Sequence, residues 1–434
     1  MPDAGVTILC TADIHLGRHP SRVPDDVARS NLSTRSVWER VAREAVERNV
    51  DAVVISGDIG DRANQYFEVF GSFEGGLKIL EHAEIPTVVV AGNHDAEFLP
   101  KIVDDIQADV LQFLGCDGKW ERLTLQTATE MDLHIDGWSF PSQHVGSSPL
   151  ESYALDTPTH GGHLGVLHAD LDASDSTHAP VNSADLEAVP VECWVLGHIH
   201  APGKQLVGVP TAFYPGSPQP LDPGEPGPHG PWVLTWKPGN GWNMTHIPLA
   251  TVRYDPIRVD VSGASTPEDT VPQIAEAVIQ AMQEIALPDY LELFLPRVIL
   301  EGRCTAHGEL LERADEFASQ LSFTESGVTI EPERVVVQTQ PDVDLADLAD
   351  ERGPIGYLAQ LILALDQGQG IEEYDTLINN SASQINKAHH ASAYGLLRQE
   401  GQLDPPDTQE TIDVIGHEAR RVLDAFMLQK EEQS

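Results

Sequence analysis

Val6-Thr7-Ile8-Leu9-Cys10-Thr11-Ala12-Asp13-Ile14-His15-Leu16-Gly17 joins an apolar, β-branched run to an aspartate and a histidine two residues apart. A run of that length and composition predicts a buried strand, with Asp13 and His15 at its end. Residues two apart on an extended chain face the same way, so the two side chains are expected to project together. The pattern recurs. Val53-Val54-Ile55-Ser56 precedes Gly57-Asp58-Ile59-Gly60-Asp61, and Thr87-Val88-Val89-Val90 precedes Gly92-Asn93-His94-Asp95. Leu164-Gly165-Val166-Leu167 precedes His168, and Trp194-Val195-Leu196 precedes Gly197-His198-Ile199-His200. Helical periodicity over 37–46 and 67–82 links the first three strands, which indicates an α/β class. Gly57, Gly92 and Gly197 each stand before one of these polar side chains, where the backbone must turn sharply or approach an ion.

The donor types point to one chemistry. Carboxylate, amide and imidazole ligands without thiolate suit Mn²⁺ or Fe²⁺ better than a closed tetrahedral Zn²⁺ site, with Zn²⁺ still compatible. Two ions held by two aspartates and neutral histidines keep surplus positive charge, which attracts a phosphodiester and stabilises its transition state. In two-metal sites the ions lie roughly 3.5–4 Å apart, so one carboxylate must bridge them. His94 adjoins a ligand without being an evident one, and a histidine can lend a proton to a leaving alkoxide near neutral pH. Singly, each motif has an ordinary explanation: a solvated strand end, a turn, a chance histidine pair. Five in order, each behind an apolar run, indicate metal-assisted hydrolysis of a phosphate ester.

The set resembles the calcineurin-like metallophosphoesterases, and in particular the SbcD/Mre-eleven branch of DNA repair nucleases, including YhaO-type exonucleases. Asp13-Ile14-His15-Leu16-Gly17 and Tyr214-Pro215-Gly216-Ser217-Pro218-Gln219 carry that narrower likeness, which covers about residues 5–250. The resemblance implies a four-layer α/β/β/α sandwich with a small α+β cap domain and a helical C-terminal region. It implies that Asp13, His15, Asp58 and His200 hold one divalent ion and that Asp58, Asn93, His168 and His198 hold the other, Asp58 being the bridge. His94 would handle the phosphate and leaving group. The chain departs from the branch at Gly60 and Asp61, where some members carry a bulky apolar residue and a histidine linked to moving the scissile phosphate. Asp61 is therefore a candidate for orienting a ligand histidine. Asp95 and Asp170 have the same option, although exposed carboxylates are the expectation in so acidic a chain.

At 434 residues there is length for two or three domains. No apolar run reaches membrane-spanning length, and Met1-Pro2-Asp3-Ala4 is unlike a signal peptide, so a cytoplasmic protein is expected. Cys10, Cys116, Cys193 and Cys304 form no paired motif and read as reduced thiols. Lys plus Arg is 26 against 68 for Asp plus Glu, a net charge of −42, which should repel nucleic acid. Three resolutions are open: a halophilic setting in which a Debye length of about 3 Å at 1 M salt screens the repulsion, local DNA contacts through Arg18, Arg22, Arg29 and Arg35, or a partner that supplies them.

The organisation expected is a phosphoesterase domain at 1–250, a cap at 251–341 with β-α-β-α-β order, and a helical region at 342–434. The Pro- and Gly-rich stretch 215–231 reads as an ordered loop flanking the site or as a plain hairpin connection. Val414, Ala419, Val422, Leu423 and Phe426 form an amphipathic stripe, suited to packing on this chain or, as the resemblance implies, to gripping an SbcC-type ATPase. Function then divides between a DNA nuclease working with such an ATPase, a phosphodiesterase or phosphatase for nucleotides or phosphoproteins, and a structural repair subunit. A homodimer is compatible with any of them.

Overall fold

The computed structural model describes residues 5–23, 31–61, 66–127, 129–173, 175–285, 290–389 and 408–431. Its first half holds two six-stranded sheets. β1 (Val6–Thr11), β2 (Ala52–Ser56), β3 (Thr87–Val90) and β4 (Leu111–Phe113) run parallel in one. β5 (Glu121–Gln126), β6 (Asp132–Trp138), β7 (Gly162–His168), β10 (Cys193–Gly197), β11 (Gly203–Leu206) and β12 (Thr211–Tyr214) form the other, and β8 (Asp170–Leu171) with β9 (Pro180–Val181) is a short pair apart. β13 (Trp232–Lys237) and β14 (Gly241–His246) return to the first sheet, giving the orders β14-β13-β1-β2-β3-β4 and β11-β12-β10-β7-β6-β5.

Alternation along β1 and β2 explains the layering. Ile8, Cys10, Val54 and Val88 meet Ile135, Leu164, Val166, Val195 and Phe213 between the sheets. Leu9, Val53, Ile55 and Val89 face the opposite way, onto α1 (Thr34–Glu47) and α2 (Tyr66–His82), whose Trp38 and Phe73 stack at 5.7 Å. A third apolar layer with Trp194, Leu167 and Leu196 covers the outer face of the second sheet, with Leu186 of α4 (Ser183–Ala188) in it. This is the α/β/β/α sandwich expected. α3 (Leu99–Ile106) completes the helical layer of the first sheet. The stretch 215–231 is not a hairpin connection: it carries the chain from β12 in the second sheet to β13 in the first.

Further along come β15 (Val252–Asp260), α5 (Thr270–Glu284), β16 (Leu293–Glu301), β17 (Arg303–Cys304), α6 (His307–Gln320), β18 (Phe323–Glu325), β19 (Val328–Ile330), β20 (Arg334–Val337) and β21 (Gln340–Pro341). The β18–β19 hairpin, turning at Ser326-Gly327, is an addition to the expected order. Contact density divides the chain into two units, 1–257 with 278–298 and 318–334, and 258–277 with 299–317 and 335–434. In the second unit α7 (Leu345–Ala349), α8 (Pro354–Gln367), α9 (Asp375–His389) and α10 (Thr408–Glu431) share a core of Leu361, Ile362, Ile378, Ile415, Ala419 and Leu423. Pro354 opens α8 directly after Gly353, as its missing N–H permits. The predicted stripe is split: Ala419 and Leu423 are buried, whereas Val414 and Val422 are exposed and line an apolar groove with Tyr357 and Leu377. Residues 390–407, within the region expected to be helical, lie outside the described residues. No described helix is long and apolar enough to cross a membrane.

Candidate metal centre

Two loops make the floor of the site. The amides of Asp13, His15 and Leu16 donate to the carbonyls of Gly57, Asp58 and Ile59 at 3.1, 3.0 and 2.8 Å, so the loops after β1 and β2 are zipped together. The side chains of Asp13 and His15 do not project together as members of an extended strand. β1 ends at Thr11, and Asp13 and His15 each adopt a left-handed backbone, φ 50° and 47°. Asp58 (52°) and His198 (105°) do the same. Non-glycine residues held there cost about 1–3 kcal/mol each, a strain that gathers where function fixes side-chain direction.

The converging atoms are close. His15 Nε2 lies 3.0 Å from His200 Nε2. His168 Nε2 lies 3.0 Å from Asn93 Oδ1 and 3.4 Å from Asp58 Oδ2, and His15 Nε2 lies 3.9 Å from that same Asp58 oxygen. Asp13, His15 and His200 form one compact donor group and Asp13, Asp58 and His168 another; His15, Asp61 and His94 form a third. His198 stands outside these groups, its ring 5.4 Å from that of His168 and its Nε2 3.9 Å from Asp170. Asp13 and Asp58 are almost fully buried. Burial, then the Asp58 charge, raise the Asp13 pKa, while His200 opposes them. Burial also works against the Asp58 carboxylate, but His168, His15 and His94 outweigh it and hold the pKa low.

Each inward-facing imidazole is fixed from behind. His168 Nδ1 donates to the Ser56 carbonyl at 3.0 Å, which leaves the Nε2 lone pair facing the Asp58 and Asn93 oxygens, three donor atoms with no hydrogen between them that an ion could join. His200 Nδ1 meets Glu225 Oε1 at 2.6 Å, and His15 Nδ1 lies 3.4 Å from Asp61 Oδ1. Asp61 is held at about pKa 2, first by the contact with His15. His94 Nδ1 is 3.1 Å from the Asp61 carbonyl and its amide donates to Asp58 Oδ1 at 3.0 Å, while its side chain is a third exposed.

Glycine is required by space as well as conformation. Gly57 has φ 90°, and a Cβ on Gly197 would sit 1.8 Å from the Ser56 carbonyl oxygen. At Gly60, Phe98 and Val69 already fill the place a side chain would take.

The expectation of an exposed Asp95 is wrong. Asp95 is fully buried, and its oxygens accept from the amides of Gly92 and Ile59, both at 2.7 Å, bracing the two ligand loops against each other. Asp170 is half-buried beside His198. Glu225 was missed, although it sits in the Pro- and Gly-rich loop singled out as flanking the site. Its other oxygen accepts from Leu221 N and Ser217 Oγ. Arg18 and Arg35 line one cleft beside His15; Arg22 is exposed in its loop, and Arg29 lies outside the described residues.

The residues fit divalent ions. Two buried carboxylates lie among imidazoles, burial lowers the pKa of His15 and His168 and so favours their neutral, metal-binding form, and the facing Nε2 atoms of His15 and His200 need a proton or a cation between them. Burial disfavours charge on His200, but Glu225, then Asp13, outweigh it and raise its pKa to about 9. Metal uptake at the His200 side is therefore expected to release a proton, so apparent Mn²⁺ affinity rises as pH climbs from 6 towards 9. Glu225→Gln is expected to lower affinity about 10- to 100-fold. Calorimetric titration in buffers of different ionisation enthalpy reads both; affinity flat with pH and unchanged in the variant would remove His200 from the ligand set.

Residues 6–202 match the family model "Calcineurin-like phosphoesterase", and residues 254–340 match "Metallophosphoesterase YhaO, middle domain". The chain is 24% identical over 261 residues to "Uncharacterized metallophosphoesterase YhaO" of Bacillus subtilis, covering 58% of this chain and 59% of that one. It is 26% identical over 290 residues to "DNA double-strand break repair protein Mre11" of Methanosarcina mazei, covering 65% of this chain and 44% of that one. The chain thus spans about half the length of these relatives. Among solved structures, calcineurin-like phosphoesterase YfkN from Bacillus subtilis aligns at 12% identity and TM-score 0.38, over 66% of this chain and all of that one. With the two matched segments and the histidine–aspartate site between the strand ends, the chain carries a calcineurin-like metallophosphoesterase domain over residues 6–202 and a YhaO-type middle domain over residues 254–340.

Proposed function

We propose that the protein is a metal-dependent DNA nuclease of the SbcD/Mre-eleven kind, hydrolysing phosphodiester bonds at two divalent ions, Mn²⁺ by preference. The observation that carries this is the pair of donor groups that share Asp13, with Asp58 Oδ2 facing both His168 and His15, in a chain that is similar to YhaO and Mre11 proteins and whose residues 254–340 match the YhaO middle domain. Asp13, His15, Asp58 and His200 would hold one ion; Asp58, Asn93, His168 and His198 would hold the other. The ions, when bound, supply Lewis-acid stabilisation of the phosphoryl oxygens and a water made acidic enough to attack.

The chain's own groups do the rest. His94, partly exposed and tied to Asp61 at Nδ1, presents its remaining ring nitrogen to a leaving oxygen and delivers a proton there. Asp61 orients His15 and His94 together, being 3.4 Å from Nδ1 of each. Asp95 and Glu225 keep the ligand loops and His200 in place. The division into nuclease domain, cap and helical region is part of the proposal, with the apolar groove of α8, α9 and α10 offered to an SbcC-type ATPase. The net charge of −42 favours one second reading, a phosphodiesterase for small nucleotides, which has no long polyanion to attract.

Digestion of end-labelled duplex and single-stranded DNA with Mn²⁺, at low and molar salt, tests these readings. Metal-dependent cleavage is expected, with stability and activity both higher at molar salt if the acidic surface is a halophilic adaptation. Hydrolysis of a small aryl phosphodiester beside inert DNA would transfer the site to the second reading.

A further inference from the structure

Beside His15 lies a cleft of about 340 Å³, walled by Arg18 and His19, by Thr34 and Arg35 at the start of α1, and by Phe67 and Glu68 at the start of α2. Its volume is at the lower end of the range for small-ligand sites. In a chain with 26 basic and 68 acidic residues, this cleft reverses the balance: Arg18, His19 and Arg35 stand against Glu68. α1 begins here with no acidic side chain in its first turn, so its amide end adds positive potential. The wall is fixed, because Thr34 Oγ1 donates to the carbonyls of His15 and Arg18, each at 3.2 Å.

Phe67 supplies a different attraction. It is 89% exposed, and Tyr66 meets it only edge-on at 5.6 Å. The cleft also adjoins the hydrolytic centre through one side chain, since Arg18 Nη1 is 3.8 Å from the Asp61 oxygen that faces His15. We propose that this cleft receives one unpaired nucleotide next to the scissile phosphate, Phe67 stacking on its base while Arg18, Arg35 and the α1 terminus hold its phosphate. Each arginine already has one acidic neighbour, Glu39 at 3.1 Å from Arg35 and Asp61 at 3.8 Å from Arg18, and each has further N–H groups for a phosphate. A base inside a duplex cannot offer its face to Phe67, so the cleft selects single-stranded or frayed ends. The inference rests on the nuclease reading and adds a preference to it.

The test is equilibrium binding of fluorescent decathymidylate, and of a blunt duplex of the same length, to the full chain in chelator, where no metal-dependent turnover occurs. Phe67→Ala is expected to weaken decathymidylate binding about tenfold, leave the duplex unchanged, and be rescued by Phe67→Trp. Arg35→Gln is expected to weaken it and make it less salt-dependent. Equal affinity of Phe67→Ala and the unmodified protein for decathymidylate, equal losses for single strand and duplex, or no binding by the unmodified protein would each overturn the proposal. Cleavage with Mn²⁺ separates it from the reading beneath: Phe67-dependent binding without cleavage sinks the nuclease and keeps the subsite. Cleavage with Phe67-independent binding does the reverse.

Discussion

Asp58→Ala is expected to lower phosphodiester turnover by more than about 10³-fold and to remove the stabilisation that Mn²⁺ gives to the fold. Both effects follow from one position. Asp58 Oδ2 faces His168 on one side and His15 on the other, at 3.4 and 3.9 Å, so its loss strips a ligand from each ion. The fold itself has little reason to fail. With no ion between them the Asp58 charge helps to raise the Asp13 pKa, while His168, His15 and His94 keep the Asp58 carboxylate charged. Metal-free Asp58→Asn relieves Asp13 but loses the imidazole contacts of Asp58, two opposing effects, so it is expected to unfold within a few degrees of the unmodified protein. In the unmodified protein, Mn²⁺ at 100 times its dissociation constant adds about 2.7 kcal/mol, and in the variant far less. Thermal unfolding with and without Mn²⁺ checks this. A variant that keeps its turnover, or gains as much stability from Mn²⁺ as the parent, would end the two-ion assignment.

What was legible in the sequence was whatever local pattern determines. Five apolar runs with Asp, Asn or His at their ends located β1, β2, β3, β7 and β10 and most of the side chains that converge. β5 and β6 escaped because Glu121–Gln126 alternates weakly and has no site residue at its end. The direction of Asp13 and His15 was illegible for a stronger reason. It is set by left-handed backbone at each residue, held by hydrogen bonds to a loop more than forty positions away. Asp95 and Glu225 were illegible in the same way. In sequence one is an acid in a turn and the other an acid among prolines; only the tertiary fold brings Asp95 to the amides of Ile59 and Gly92, and Glu225 to His200. Composition argued for exposed carboxylates on average, and the exceptions are those whose oxygens meet backbone or imidazole N–H groups.

Among the charged residues outside the metal centre, a large effect on stability is expected at Asp136. Asp136→Asn is expected to cost about 3 kcal/mol at neutral pH, the scale for removing one partner of a buried ion pair. The carboxylate is fully buried on β6, where Arg122 on β5 grips it through Nε at 2.5 Å and Nη2 at 2.7 Å. Tyr153 donates to Oδ2 at 2.6 Å and His163, near the start of β7, meets it at 2.7 Å. Burial alone would raise the Asp136 pKa, but Arg122, His163 and Tyr153 outweigh it and bring it down to about 2. A folded value below the unfolded 3.8 means stability that is present above about pH 4 and lost as pH falls towards 2, amounting to about 2 kcal/mol. The difference in urea-unfolding free energy between parent and variant should therefore shrink between pH 5 and pH 3; a gap constant through that window would assign the cost to packing and not to the charge. The contrast with Asp58 is the reason to measure both. Asp136 has its cation built into the chain as Arg122, so adding Mn²⁺ should stabilise parent and Asp136→Asn by equal amounts, whereas Asp58 and Asp13 have only histidines about them and depend on an ion from solution.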